Sequence, residues 1–181
     1  MEGLKRYDFL TQEECDTIVN KILSLEDAVK RLGPDIYVGT SEDSLTGRYK
    51  YFNYLNVPEI NTILEPKLKE LLGPCVVQCW ANILRQGEGI EGHTHFCDAP
   101  TSYTERHGAT GNIFLYGDPT TGTYYNFPEL SPLSVKYDNK VGELSLFTPT
   151  LFHGVSKNTT DDMRISMAIY VHKDLTEDMI N

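Results

Sequence analysis

The spacing of apolar positions changes part-way along this chain, and the change divides it into two predicted regimes. Cys15, Ile18, Val19, Ile22, Leu25, Val29 and Leu32 recur at steps of three and four, which gathers side chains on one face of an α-helix. Thr11 followed by Glu14 supplies a capping box at its start, and Gly33-Pro34 a stop at its end. A second helix is predicted from about Pro58, with Ile60, Ile63, Leu64, Leu68, Leu71 and Leu72 on its buried side and a stop at Gly73-Pro74. Residues 35–56, between the two, have the composition of loop and extended chain.

Beyond Gly73 the runs shorten. Segments 76–84, 111–116, 144–147 and 164–171 are rich in strand-forming residues and are separated by Gly, Pro, Asn and Asp clusters. Two helices followed by many short strands, with no helices between them, disfavour a parallel α/β sheet. The predicted architecture is mainly β, a sandwich or jelly roll of about 74–173 with a helical part of about 9–73 packed on one sheet. A length of 181 residues suits a single domain over 1–181, and the sequence shows no internal repeat.

Composition then narrows the partners. Asp plus Glu number 26 against 16 Lys plus Arg, a formal charge of −10, which argues against nucleic acid or an anionic membrane as partner. No run approaches the roughly 18 apolar residues of a membrane span, and the start of the chain lacks the apolar stretch of a signal peptide. The four cysteines, at 15, 75, 79 and 97, form neither a C-x-x-C pair nor a dense framework, the usage expected in a reducing cytoplasm. The step from Cys75 to Cys79 is at most a hint of zinc.

Three of the five histidines suggest shared chemistry. In extended chain, residues two apart face one side, so His93 and His95 can present both imidazoles to one point. Imidazole suits iron, zinc, copper and nickel, so the spacing proposes a metal without choosing it. Two histidines beside the Gly-rich stretch 87–92 could equally be solvated; His153 shifts the balance. It is followed by a polar, turn-like segment, 157–162, and then by Arg164 and Ser166. Segments 153–156 and 163–171 are therefore expected to form an antiparallel hairpin, with His153 and Arg164 opposite each other at about 5 Å between Cα atoms and Ser166 on the face of Arg164.

A guanidinium and a hydroxyl beside a metal-binding histidine form a receptor for a carboxylate. A surface ion pair of Arg164 with Asp161 or Asp162 competes with that reading. Asn82 and Asn112 are candidate contacts to a bound ligand, with solvent-facing or strand-pairing roles as alternatives, and Trp80 is expected in the core. The substrate-facing material is expected from the loop 35–56, with Tyr37, Arg48, Tyr49, Tyr51 and Tyr54, and from a turn bearing Tyr103, His107, Tyr124 and Tyr125. His107 and His172 have no matched partner and read as ordinary polar residues.

Taken in order, Trp80-Ala81-Asn82, Gly87, His93-Thr94-His95, the segment 142–147, His153-Gly154-Val155 and Arg164-Ile165-Ser166 resemble a known family. It is the iron(II)- and 2-oxoglutarate-dependent oxygenases with a double-stranded β-helix (jelly-roll), prolyl-hydroxylase-like core, and in particular a phage and bacterial branch with paired histidines. The resemblance covers residues 76–171. It implies Fe(II) held by His93, His95 and His153, and 2-oxoglutarate anchored at its distal carboxylate by Arg164 and Ser166, with Asn82 nearby. It further implies that molecular oxygen is consumed, that succinate and carbon dioxide are released, and that an unidentified small molecule or protein side chain is hydroxylated. The site is expected in the cytoplasm, of the host where the gene is carried by a phage.

One departure stands out. Most members carry His-x-Asp or His-x-Glu, completing a two-histidine, one-carboxylate triad, whereas here His95 holds the carboxylate position and Asp98 is a nearby alternative ligand. That departure keeps open a cupin-like metal enzyme that does not use 2-oxoglutarate. A jelly-roll binding protein without catalysis is a further alternative.

Overall fold

Helix α1 (Gln12–Lys30) begins where its sequence says it must. Thr11 Oγ1 accepts from the Glu14 N–H at 3.3 Å, and the Glu14 carboxylate accepts from the Thr11 N–H at 2.8 Å, so two of the helix's orphan donors are satisfied reciprocally. In this computed structural model the described residues are 3–33, 45, 52–95, 107–127, 130 and 133–173, with backbone alone at 107, 108, 172 and 173. The α1 stripe of Cys15, Ile18, Val19, Ile22 and Val29 is buried as its spacing predicts. The helix stops at Lys30, so Leu32, expected on the buried side, is instead exposed.

Helix α2 (Pro58–Leu72) carries proline at its first position, buries Ile60, Leu64 and Leu68, and ends at Gly73. That glycine sits at φ 74, a left-handed conformation that costs a residue without a side chain nothing. Of the predicted loop 35–56, residue 45 and residues 52–56 are described, ending in a short 3-10 turn at Tyr54–Asn56.

The described residues also form nine strands in two antiparallel sheets, the first of them ahead of α1. They are β1 (Leu4–Asp8), β2 (Cys75–Leu84), β3 (Ile90–His93), β4 (His107–Tyr116), β5 (Thr123–Asn126), β6 (Val135–Tyr137), β7 (Glu143–Phe147), β8 (Phe152–Val155) and β9 (Arg164–Lys173). One sheet runs β1-β7-β4-β9-β2 and the other β3-β8-β5-β6. The period of two then decides what each face meets. Cys79, Ala81 and Ile83 of β2, Ile113 and Leu115 of β4, Leu144 and Leu146 of β7, and Ile165, Met167, Ile169 and Val171 of β9 join the stripes of α1 and α2 in one apolar core. The helices thus cover the outer face of the five-stranded sheet. The alternate residues of these strands, among them Trp80, Asn82, Asn112 and Ala168, line a pocket shared with the four-stranded sheet.

The expected hairpin of 153–156 with 163–171 does not form. β8 pairs with β3 and β5, while β9 pairs with β2 and β4, so His153 and Arg164 belong to different sheets. The reason is Asn158, which is 1% exposed. Its Nδ2 donates to the Leu84 carbonyl at 3.1 Å and to the Asp162 carbonyl at 2.6 Å. Its backbone N–H donates to Glu88 O, and its own carbonyl accepts from the Gly87 N–H. These bonds pin the segment to the end of β2 and turn it into a crossing from one sheet to the other. No helix among the described residues is long and apolar enough to cross a membrane.

Candidate metal centre

β3 and β8 are in register at His93 and His153, which sets the two rings side by side on one sheet. His95 lies just past the end of β3, where its N–H donates to the Pro149 carbonyl at 2.9 Å and so docks it on the turn that leads into β8. The ring centroids of His93 stand 5.0 Å from those of His95 and 4.6 Å from those of His153, and His95 and His153 are 4.9 Å apart. One ligating nitrogen from each lies within 4.8 Å of the others. The three histidines singled out from sequence are therefore brought together; Asp98, the alternative ligand, lies outside the described residues.

The orientation of each ring follows from what its Nδ1 touches. His93 Nδ1 lies 2.8 Å from Glu91 O, and His153 Nδ1 lies 2.8 Å from Leu151 O. A carbonyl only accepts, so both rings carry their proton on Nδ1 and a lone pair on Nε2. His95 Nδ1 is hydrogen-bonded to the Tyr170 hydroxyl, and His95 Nε2 stands 3.1 Å from His153 Nε2. Nitrogens that close need a proton or a metal ion between them. A third Nε2 lone pair converging on the same point fits a metal.

Protonation agrees with that fit. Burial, with the neighbouring charge of His93, pushes His153 down to about 4 against the opposing hydrogen bond to Leu151. Burial likewise lowers His93, opposed by its bond to Glu91. Neutral imidazole is the ligating form.

Arg164 lies wholly out of solvent. Its Nε donates to the Thr121 carbonyl at 3.2 Å and its Nη1 to Ser166 Oγ at 2.9 Å, and the guanidinium stands 5.4 Å from the centroid of Phe114. Its Nη2 is buried with no hydrogen-bond partner. The alternative ion pair with Asp161 or Asp162 is excluded, because the side chain points inward and the Asp162 carboxylate accepts from the Tyr116 hydroxyl instead. Burial pushes Arg164 down to about 10, with the nearby Tyr125 opposing, so it stays a cation at neutral pH. Asn82 is 4% exposed, lines the pocket, and has a buried Oδ1 without a partner, which removes the solvent-facing reading. Asn112 also lines the pocket.

Several aromatic residues stand elsewhere than expected. Tyr124 and Tyr125 are on strand β5 rather than a turn. Tyr125 is 1% exposed and stacks on His153 with centroids 6.2 Å apart. Burial raises its phenol to about 12, against a hydrogen bond to Ser145 and the charges of Arg6 and Arg164. Tyr124 faces the other way, its hydroxyl packed against Gly92 and Gly154. Tyr54 belongs to the helix-side core. Trp80 is both buried and part of the pocket wall. Tyr37, Arg48, Tyr49, Tyr51 and Tyr103 lie outside the described residues, as does the side chain of His107. Tyr170 was not singled out from sequence, although the period of two that carries Arg164 to Ser166 also reaches Ala168 and Tyr170.

No protein-family model matches the sequence, and no curated protein matches it. Solved structures do. A prolyl-4-hydroxylase from Pseudomonas putida superposes with a TM-score of 0.61 over 95% of this chain and 93% of its own, at 13% identity. The non-heme monooxygenase ThoJ, as its nickel complex, gives 0.64 over 94% of this chain and 74% of its own, at 18% identity. The viral collagen prolyl hydroxylase of Paramecium Bursaria Chlorella virus-1, in complex with 2OG, gives 0.58 over 96% and 97%, at 15% identity. At such identities the matches establish a shared fold: this chain is similar in architecture to non-heme oxygenases over nearly its whole length.

Proposed function

We propose that this chain is an iron(II)- and 2-oxoglutarate-dependent oxygenase of hydroxylase type, a single domain on a double-stranded β-helix core. Its substrate is an unidentified small molecule or protein side chain, and succinate and carbon dioxide are its coproducts. The observation that carries the reading is Arg164. A buried guanidinium with an unpartnered Nη2 bears a desolvation cost of several kcal/mol unless an anion meets it, and it bonds Ser166, whose partner across the sheet, Asn82, lines the pocket of the three imidazoles. Tyr125 links the two, stacked on His153 and within electrostatic reach of Arg164.

The residues divide the work by chemistry. His93, His95 and His153 would hold the metal through Nε2. Arg164 and Ser166 would grip the distal carboxylate of 2-oxoglutarate, and Tyr125, kept protonated by burial, can donate to the same acid. Asn82, with its amide rotated to present Nδ2, can donate to the bound cosubstrate. Trp80, Phe147, Val155 and Ala168 wall the pocket with apolar surface and keep water from the reacting centre. The metal and cosubstrate, when bound, supply the activation of oxygen and the oxidising equivalents. An acidic chain with four cysteines in neither a C-x-x-C pair nor a dense framework is suited to the reducing cytoplasm.

A second reading, a three-histidine metal enzyme that does not use 2-oxoglutarate, is favoured by His95 standing where a carboxylate ligand is usual. Calorimetric titration of 2-oxoglutarate into manganese-loaded protein separates the two. Wild type is expected to bind, and Arg164→Met to bind about 30-fold or more weakly, as for a buried charge that loses its partner, with manganese affinity unchanged. Equal affinity in the variant would put the carboxylate elsewhere, and no binding to wild type would favour the second reading.

A further inference from the structure

His93 and His153 are oriented in the same way, each by the carbonyl two residues before it in the chain. His95 is oriented differently, by a side chain from the opposite sheet. Tyr170 of β9 reaches across the interior so that its hydroxyl bonds His95 Nδ1. Its ring meets the imidazole edge-on, with centroids 4.8 Å apart at 83°, and leans on Trp80 at 4.6 Å. The partner's chemistry matters, because a carbonyl fixes one tautomer whereas a hydroxyl can donate or accept. With its proton on Nε2, His95 bridges to His153 Nε2, 3.1 Å away. With the proton on Nδ1, donated to Tyr170, Nε2 is turned over to a cation.

We propose that Tyr170 is the positioning residue that makes His95 a metal ligand, by accepting the Nδ1–H and so presenting the Nε2 lone pair to the metal. This rests on the metal reading above. The hydrogen bond also raises the basicity of the imidazole, at a centre whose three described ligands are all neutral. The same strand then serves both halves of the site, through Arg164 and Ser166 towards the acid and through Tyr170 towards the metal. Tyr170→Phe removes the hydroxyl and leaves the ring that packs on Trp80.

Cobalt(II) titration tests this, followed by visible absorption and by quenching of Trp80, the chain's single tryptophan. Removing an outer hydrogen bond to a ligand typically weakens a metal 10- to 100-fold, so Tyr170→Phe is expected to weaken cobalt about tenfold or more. In a His95→Ala background the same substitution is expected to change nothing, since its effect runs through His95. Wild-type affinity in Tyr170→Phe, or an equal loss with and without His95, would overturn the proposal. Long-range 1H–15N spectra of zinc-loaded wild type give a reading independent of any variant. They are expected to show His95 protonated at Nδ1 and metal-bound at Nε2, and the reverse assignment would also overturn it. If His95→Ala binds cobalt as tightly as wild type, the role of Tyr170 fails while a metal on His93 and His153 survives; if wild type binds no metal, both fail.

Discussion

Gly154 sits beside His153 in β8, and its missing side chain is what lets the neighbouring strands close on the histidine. A Cβ there would stand 2.3 Å from the Tyr124 hydroxyl and 2.8 Å from the Ile90 carbonyl. The tyrosine could swing away, but the carbonyl belongs to the adjacent strand and cannot. Gly154→Ala is therefore expected to destabilise the fold by about 1–3 kcal/mol, the usual cost of overpacking, and to weaken cobalt or manganese binding by displacing His153. Urea unfolding and metal titration of the same sample check it; wild-type values in both would contradict the packing account. At this scale the sequence pointed to three histidines that the fold brings together, His93, His95 and His153, and to Arg164 and Ser166, which the fold buries in contact with each other. It did not disclose the contact of Tyr170 with His95 or the burial of Tyr125 against His153, because a tyrosine among 11 carries no mark that says which neighbour it will meet.

Elements were legible where their causes are local. The capping box and stripe of α1, and the proline and glycine that bound α2, are written within each segment. β1, β3, β5 and β6 are three to five residues long and owe their form to the partners they lie against, which no local pattern states. The hairpin expected between β8 and β9 failed for a related reason. Residues 157–162 have the polar composition of a hairpin turn, but composition does not say whether an amide faces water or buried carbonyls. Asn158→Ala removes four side-chain bonds that shape the crossing, two donated by Nδ2 and two accepted by Oδ1 from Thr160, and is expected to cost about 1–3 kcal/mol, measured by thermal or urea unfolding; a neutral effect would mean that the crossing is held by its backbone alone.

Helix α1 adds a pH-dependent tie. Burial alone would raise the Glu26 carboxyl, but hydrogen bonds and charge from Lys30 and Arg85 outweigh it and hold the group below the ordinary carboxylate range. A depressed folded-state pKa contributes stability that is present above the unfolded value and disappears as pH falls through the folded value. Glu26→Gln is thus expected to be less stable than wild type by about 1 kcal/mol at neutral pH. The gap should narrow as the solution is acidified through and below the carboxylate range, and a gap independent of pH would contradict the ion pairs.

Across the whole molecule, the two sheets hold complementary charge chemistry. The three clustered histidines lie on and beside the four-stranded sheet, and the buried cation Arg164 on the five-stranded one, within a chain of formal charge −10. A cosubstrate that chelates a metal at one end and carries a carboxylate at the other would span the space between them. Anaerobic titration of the iron(II)-loaded protein with 2-oxoglutarate tests this most directly. The expected result is a visible charge-transfer band that saturates at one equivalent, is abolished in His153→Ala, and requires higher 2-oxoglutarate in Arg164→Met, with succinate formed when air is admitted. An iron-loaded wild type that gives neither the band nor succinate would contradict the account.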